Sequence, residues 1–166
     1  MKTNYPTDLK KLFISGVFLL SSAMIFAQGN FSGSWKLNDS KSNFGDAPFR
    51  FAATSLVITQ EGNNLSVEGT QPGMDGGEMK TSSKYTLDGN PCENKGFMDM
   101  IRKSVVTWSA DKSSITITST INSDMGEMNF SETWKLAENG KVLMVESVMP
   151  SMDGGDMKTT AAYDKQ

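Results

Sequence analysis

The sequence predicts an all-β domain, an antiparallel meander that closes into a barrel of eight to ten strands. Three observations carry this. After Gln28, apolar and polar residues alternate over short runs and helical periodicity is absent. The runs are separated by Gly, Asp, Asn and Pro at tight-turn spacing. Finally, segments of the first half return in the second.

Alternation predicts strands over 32–38, 54–61, 64–71, 79–88, 102–109, 114–122, 128–137, 142–149 and 157–164. The turns between them read Glu61-Gly62-Asn63-Asn64, Asp75-Gly76-Gly77, Asp111-Lys112-Ser113, Glu138-Asn139-Gly140 and Asp153-Gly154-Gly155. Gly and Asn tolerate the positive φ that short hairpins demand. Short strands joined in this way form a barrel or sandwich. Two longer connections interrupt the series. Residues 39–53 form a flap or a short helix, and residues 89–101 form a loop containing Cys92. Long loops on a rigid β scaffold are where binding residues concentrate.

The internal repeat pairs Phe31-Ser-Gly-Ser-Trp35-Lys-Leu37 with Phe130-Ser-Glu-Thr-Trp134-Lys-Leu136. It also pairs the stretch from Met74 to Tyr85 with that from Met152 to Tyr163, keeping Leu65/Leu143, Val67/Val145 and Pro72/Pro150 in step. Two copies are too few for a solenoid, so the reading is one barrel with an internal two-fold repeat, its first half holding one extra strand.

Alternation also assigns faces. Phe31, Gly33, Trp35 and Leu37 point inward on the first strand. Ile115, Ile117, Ser119 and Ile121 do so on the sixth, and Met128, Phe130, Glu132, Trp134 and Leu136 on the seventh. On the fourth and ninth, Met79, Thr81, Ser83 and Tyr85 match Met157, Thr159, Ala161 and Tyr163. The inner face is therefore aromatic in one part and small or mildly polar in another. Small side chains either fill the taper of a solid barrel or line a cavity for a small apolar ligand. In the cavity reading, Trp35, Tyr85, Trp134 and Tyr163 are wall residues, with Thr81, Ser83, Thr159 and Ala161 beside them. Glu132 stands on the apolar face between Phe130 and Trp134, and a buried carboxylate needs a partner or loses its charge. Arg50 and Arg102 are the only arginines, and an ion pair with one of them is the expectation.

Gly33-Ser34-Trp35 on a first strand that opens a meander resembles the Gly-x-Trp signature of lipocalins and the wider calycin group. The fuller run from Phe31 to Asn38, with Lys41-Ser42-x-Phe44-Gly45 after it, is similar to small secreted bacterial proteins described as lipocalin-like. The resemblance implies a barrel with Trp35 closing one end and an apolar calyx open at the other. It also implies a late basic residue packed across that Trp, for which the C-terminal part offers Lys158 and Lys165. The lipocalin disulfides and the C-terminal helix have no counterpart here.

Residues 1–27 read as a cleavable secretory signal. Lys2, Lys10 and Lys11 precede an apolar run from Leu12 to Phe26, too short for a bilayer, and Ala27 offers a cleavage point. An uncleaved N-terminal anchor is the alternative. Residues 28–166 then form one domain, placed in the periplasm or secreted. Three of the 16 Lys and Arg, and one of the 19 Asp and Glu, lie in the signal; the remaining 139 residues carry 13 basic and 18 acidic groups, a charge of −5. No basic cluster marks a nucleic-acid surface. Cys92 is the sole cysteine, so no intrachain disulfide forms.

The chain has no His, which removes the commonest general base and the usual nucleophile pairs, and no Gly-rich phosphate loop precedes a helix. No catalytic residue or cofactor is expected. The Asp-Gly-Gly turns supply too few ordered oxygens for calcium. Twelve methionines are the unusual feature. Met98, Met100, Met125, Met128, Met149, Met152 and Met157 flank turns that the nine-strand meander gathers at one end, with Met74 and Met79 at the other. Thioethers favour Cu(I) where His is scarce, so Cu(I) binding is the alternative to apolar packing.

Overall fold

The computed structural model describes residue 1 and residues 28–45, 52–73, 77–96, 100–123, 126–151 and 154–166. The proposed signal (2–27), Arg50, Met74, Met98, Met125 and Met152 lie outside the described residues.

Ten antiparallel strands form one sheet. They are β1 (Gly33–Leu37), β2 (Ser55–Glu61), β3 (Asn64–Pro72), β4 (Glu78–Thr86), β5 (Cys92–Lys95), β6 (Ile101–Trp108), β7 (Ser114–Ser123), β8 (Gly126–Ala137), β9 (Val142–Pro150) and β10 (Asp156–Lys165). The sheet order is β4-β3-β2-β1-β10-β9-β8-β7-β6-β5, so first and last strands lie side by side. A single 3-10 turn, Asp39–Lys41, starts the first long connection, capped by the Asn38 side chain accepting from the Lys41 N–H.

Nine strands were predicted where ten exist. The connection 89–101 contains β5, paired with β6 from Cys92↔Ser104 to Lys95↔Ile101. The extra strand reverses the direction assigned to the chain before it relative to the chain after it. The turns β1–β2, β3–β4, β5–β6, β7–β8 and β9–β10 therefore all share one end. This corrects the placement of Met79: it lies at the same end as the other turns instead of opposite.

No main-chain ladder joins β4 to β5, and the barrel is nearly closed instead of continuous. The Asn94 side chain bridges the seam. The Lys84 N–H donates to Asn94 Oδ1 (2.7 Å), while Asn94 Nδ2 donates to the Lys84 carbonyl (2.9 Å). The amide of Asn94 thus reproduces one pair of ladder hydrogen bonds.

The end opposite the five shared turns is packed solid. Phe31 stacks on Trp108 at 6.0 Å and meets Trp134 edge-on at 6.2 Å. The Trp35 Nε1–H donates to the Phe31 carbonyl (3.0 Å), and the Trp108 Nε1–H to the Leu87 carbonyl (3.1 Å). Lys165 Nζ sits 5.2 Å from the centre of the Trp35 ring. This is the basic cap that the resemblance implied, supplied by Lys165. Gly33 makes it fit: its φ is +148°, and a Cβ there would come within 2.8 Å of Lys165 Cε. Gly-x-Trp thus encodes a backbone that leaves room for a cation on the indole.

Inside, Ile115, Ile117 and Ser119 of β7 are buried, as alternation requires. Ser104 of β6 is buried beside Ser119, with the hydroxyls 2.8 Å apart. One donates to the other, and both are almost fully buried. Replacing Ser104 alone with alanine is expected to cost about 1–3 kcal/mol in urea unfolding, because it strands the Ser119 hydroxyl. Replacing both should cost clearly less than the sum of the two single changes. Strict additivity would mean that the hydroxyls do not depend on each other.

Candidate functional site

Above the aromatic floor the barrel opens into a cavity of about 730 Å³. Its walls come from every part of the sheet except β1 and β7. Leu56 and Val67 of β2 and β3, Val145 of β9 and Ala161 of β10 give it apolar sides. Phe44, Ala52 and Ala53 from the first long connection border it near the five shared turns.

Of the eight predicted wall residues, seven line this cavity: Tyr85, Trp134, Tyr163, Thr81, Ser83, Thr159 and Ala161. Trp35 does not. It is buried at the closed end, beneath Lys165 and against Phe31. Alternation places Trp35 on the inner face but says nothing of its height along the barrel axis. A solid interior, the other reading of the small side chains, is not what these residues form.

The methionines divide. Met149 lines the cavity and lies directly across from Met157 in the β9–β10 ladder. Met79 also borders the cavity and is exposed, as is Met128. Met100 precedes β6 at the same end.

Glu132 enters the cavity from β8. The β7–β8 register runs unbroken through Ile117↔Glu132 and Ile115↔Trp134, so no bulge turns it outward. The ion pair expected with Arg102 does not form, and Arg50, the other arginine named for it, lies outside the described residues. Among the described residues the carboxylate accepts one long hydrogen bond, from the Trp134 Nε1–H (3.3 Å). Burial pushes its pKa up, with the Arg102 charge and the Trp134 bond opposing. Arg102, on β6, reaches instead toward β4. Its Nη2 donates to Ser83 Oγ (2.8 Å) and to Tyr85 Oη (2.7 Å), and the guanidinium lies 5.7 Å from the centre of the Tyr85 ring. Arg102 Nε is buried with no hydrogen-bond partner. Burial also raises the Tyr85 hydroxyl, to about 12, and the Tyr163 hydroxyl with it.

Sequence reading named Arg102 only as one of two possible partners for Glu132 and missed its contacts with Ser83 and Tyr85. Its inward position was legible from alternation, but its preference for Ser83 and Tyr85 depends on the seam between β4 and β5. Cys92, at the start of β5, is half-buried, and its thiol lies 3.3 Å from the Ser104 carbonyl. Among the described residues, no group of three or more His, Cys, Asp and Glu side chains is gathered to hold a metal ion.

No protein-family model matches the chain, and no curated protein matches it. Among solved structures, the chain is similar to a zebrafish ileal bile acid-binding protein complexed with cholic acid. The TM-score is 0.55 at 15% identity, covering 82% of this chain and 98% of that one. At that identity the likeness is one of fold alone, and the fold is a calycin-type β-barrel.

Proposed function

We propose that the chain is an exported, non-enzymatic binding protein that carries a small apolar molecule in its barrel. The observation that carries this reading is the cavity of about 730 Å³, floored by aromatics and walled by Leu56, Val67, Val145 and Ala161. Ligand pockets run from about 300 to 1,000 Å³, with apolar walls and a few convergent polar groups. The cholic acid held by the zebrafish protein of similar fold supports the ligand class, an apolar body of modest size. Export rests on the basic and apolar pattern of residues 1–27, and the exclusion of nucleic acid on the acidic charge.

The full chain, expressed in a bacterial host and recovered from outside the cytoplasm, tests both parts. Native mass spectrometry is expected to show a bound increment of lipid-like mass, and N-terminal sequencing to begin at Gln28. An apo mass that persists when fatty and steroid acids are added would sink the carrier reading. A cytoplasmic chain that retains Met1 would sink export.

Cu(I) is the second reading, and the correction to the fold is what favours it. The described methionines that flank turns, Met79, Met100, Met128, Met149 and Met157, lie at one end, and Met98, Met125 and Met152 are close to them in sequence. Soft thioethers at a shared rim suit Cu(I). In copper-supplemented medium the same spectrum would then carry an increment of copper mass. Changing Met98, Met100, Met125 and Met128 to leucine should remove it, and a retained increment would exclude that set.

A further inference from the structure

An arginine and a carboxyl group line one cavity without touching each other. Arg102 satisfies its Nη2 with two neutral hydroxyls, those of Ser83 and Tyr85, and leaves Nε without a partner. Glu132 faces the same space with one indole N–H for company. We propose that the cavity takes an amphiphile with a single anionic head group, held at Arg102, and that a proton enters with it at Glu132. This rests on the ligand-binding reading above and specifies its ligand and its control.

In the free protein, burial disfavours the Glu132 carboxylate, and the field of Arg102 is the main influence that favours it. An anion at Arg102 cancels that field and adds repulsion of its own. The carboxylate then becomes the costlier form, and Glu132 binds a proton. A cationic ligand would meet the Arg102 charge across the same cavity, and a neutral one would leave that charge uncompensated, since a charge-assisted hydrogen bond is the stronger one.

Among the described residues, the other titratable groups in or beside this space do not compete for the proton. Tyr85 on β4 and Tyr163 on β10 are pushed further from titration by burial and stay neutral hydroxyls. Cys92 on β5 directs its thiol to the Ser104 carbonyl. Lys80 on β4 and Lys95 on β5 border the cavity from exposed positions, where water screens them. No titratable side chain of β2, β3 or β9 lines the cavity.

The sign follows from linkage. If a proton is taken up on binding, affinity for a permanent anion falls as pH rises above the free Glu132 pKa, by up to about tenfold per pH unit. The probe must not titrate itself, so dodecanesulfonate below its micellar concentration is set against dodecanol, a neutral chain of equal length. Calorimetry from about pH 5 to about pH 8, in buffers with different heats of ionisation, reads affinity and proton uptake together. At the acidic end the sulfonate should bind at least about tenfold tighter than the alcohol, which is about 1.4 kcal/mol. That preference should shrink with rising pH, and the heat should depend on the buffer. Arg102→Gln should lose the preference while dodecanol still binds. Glu132→Gln should abolish the buffer-dependent heat and flatten the pH dependence.

Equal binding of sulfonate and alcohol would overturn the inference and leave an apolar ligand standing. Binding of neither would defeat both readings. A sulfonate preference without proton uptake in the unmodified protein would overturn the role of Glu132.

Discussion

Replacing Trp35 with alanine is expected to lower the unfolding free energy by about 3–5 kcal/mol, a large share of what a domain of this size possesses. Trp35 is 1% exposed and touches three things at once. Its ring packs at the closed end, its Nε1–H satisfies the Phe31 carbonyl, and its face carries the Lys165 ammonium. Alanine removes the packing, strands the carbonyl and leaves the cation without its aromatic surface. The melting midpoint should fall by roughly 10–20 °C. Trp35→Phe, which keeps a ring but loses the N–H, should cost less, as should Lys165→Met, which removes only the charge and a cation–π contribution of about 0.5–1 kcal/mol. A loss below about 1 kcal/mol for Trp35→Ala would show that the closed end does not hold the barrel together.

Filling the cavity should have the largest effect on binding. Ala161 sits in the middle of β10, opposite Val145, and borders the void together with Thr159 and Tyr163. Ala161→Trp projects an indole into the space an apolar ligand would occupy. Affinity for the bound molecule, or for a fluorescent apolar probe displaced by it, should drop by about a hundredfold or more, equivalent to about 2.7 kcal/mol. In a packed core the same change would cost about 1–3 kcal/mol in stability. In a void of about 730 Å³ the thermal midpoint should hold or rise. Destabilisation with unchanged probe binding would place the ligand elsewhere.

The barrel was legible because alternation is a strong local signal. The ladders of β6 with β7 and of β7 with β8 place Ile115 and Ile117 inside at the positions read from the sequence. β5 was not legible, and the reasons are physical. It has four residues, follows Pro91, contains one apolar residue and forms a ladder on one side only. One missed strand inverted the end assigned to the β3–β4 turn, since each strand reverses the chain. The wall residues were legible as a face, not as a depth, and this is why seven border the cavity while Trp35 lies below it. The partnership of Arg102 was hidden for a third reason. It reaches across the seam to Ser83 and Tyr85, and the position of a seam is set by closure of the whole sheet, not by the pattern within one strand.

The adjacency of β1 and β10 has a consequence for how the molecule comes into being. Asn38 and Asp164, joined by a side-chain hydrogen bond next to the β1–β10 pairing, are 126 residues apart in the chain. Contacts of such separation make folding slow, on the millisecond-to-second scale typical of β-barrels. Here they also set its order: the Trp35 face cannot be covered, nor β1 given its second neighbour, until Lys165 has emerged. A nascent chain of this topology therefore stays open until β10 has been made.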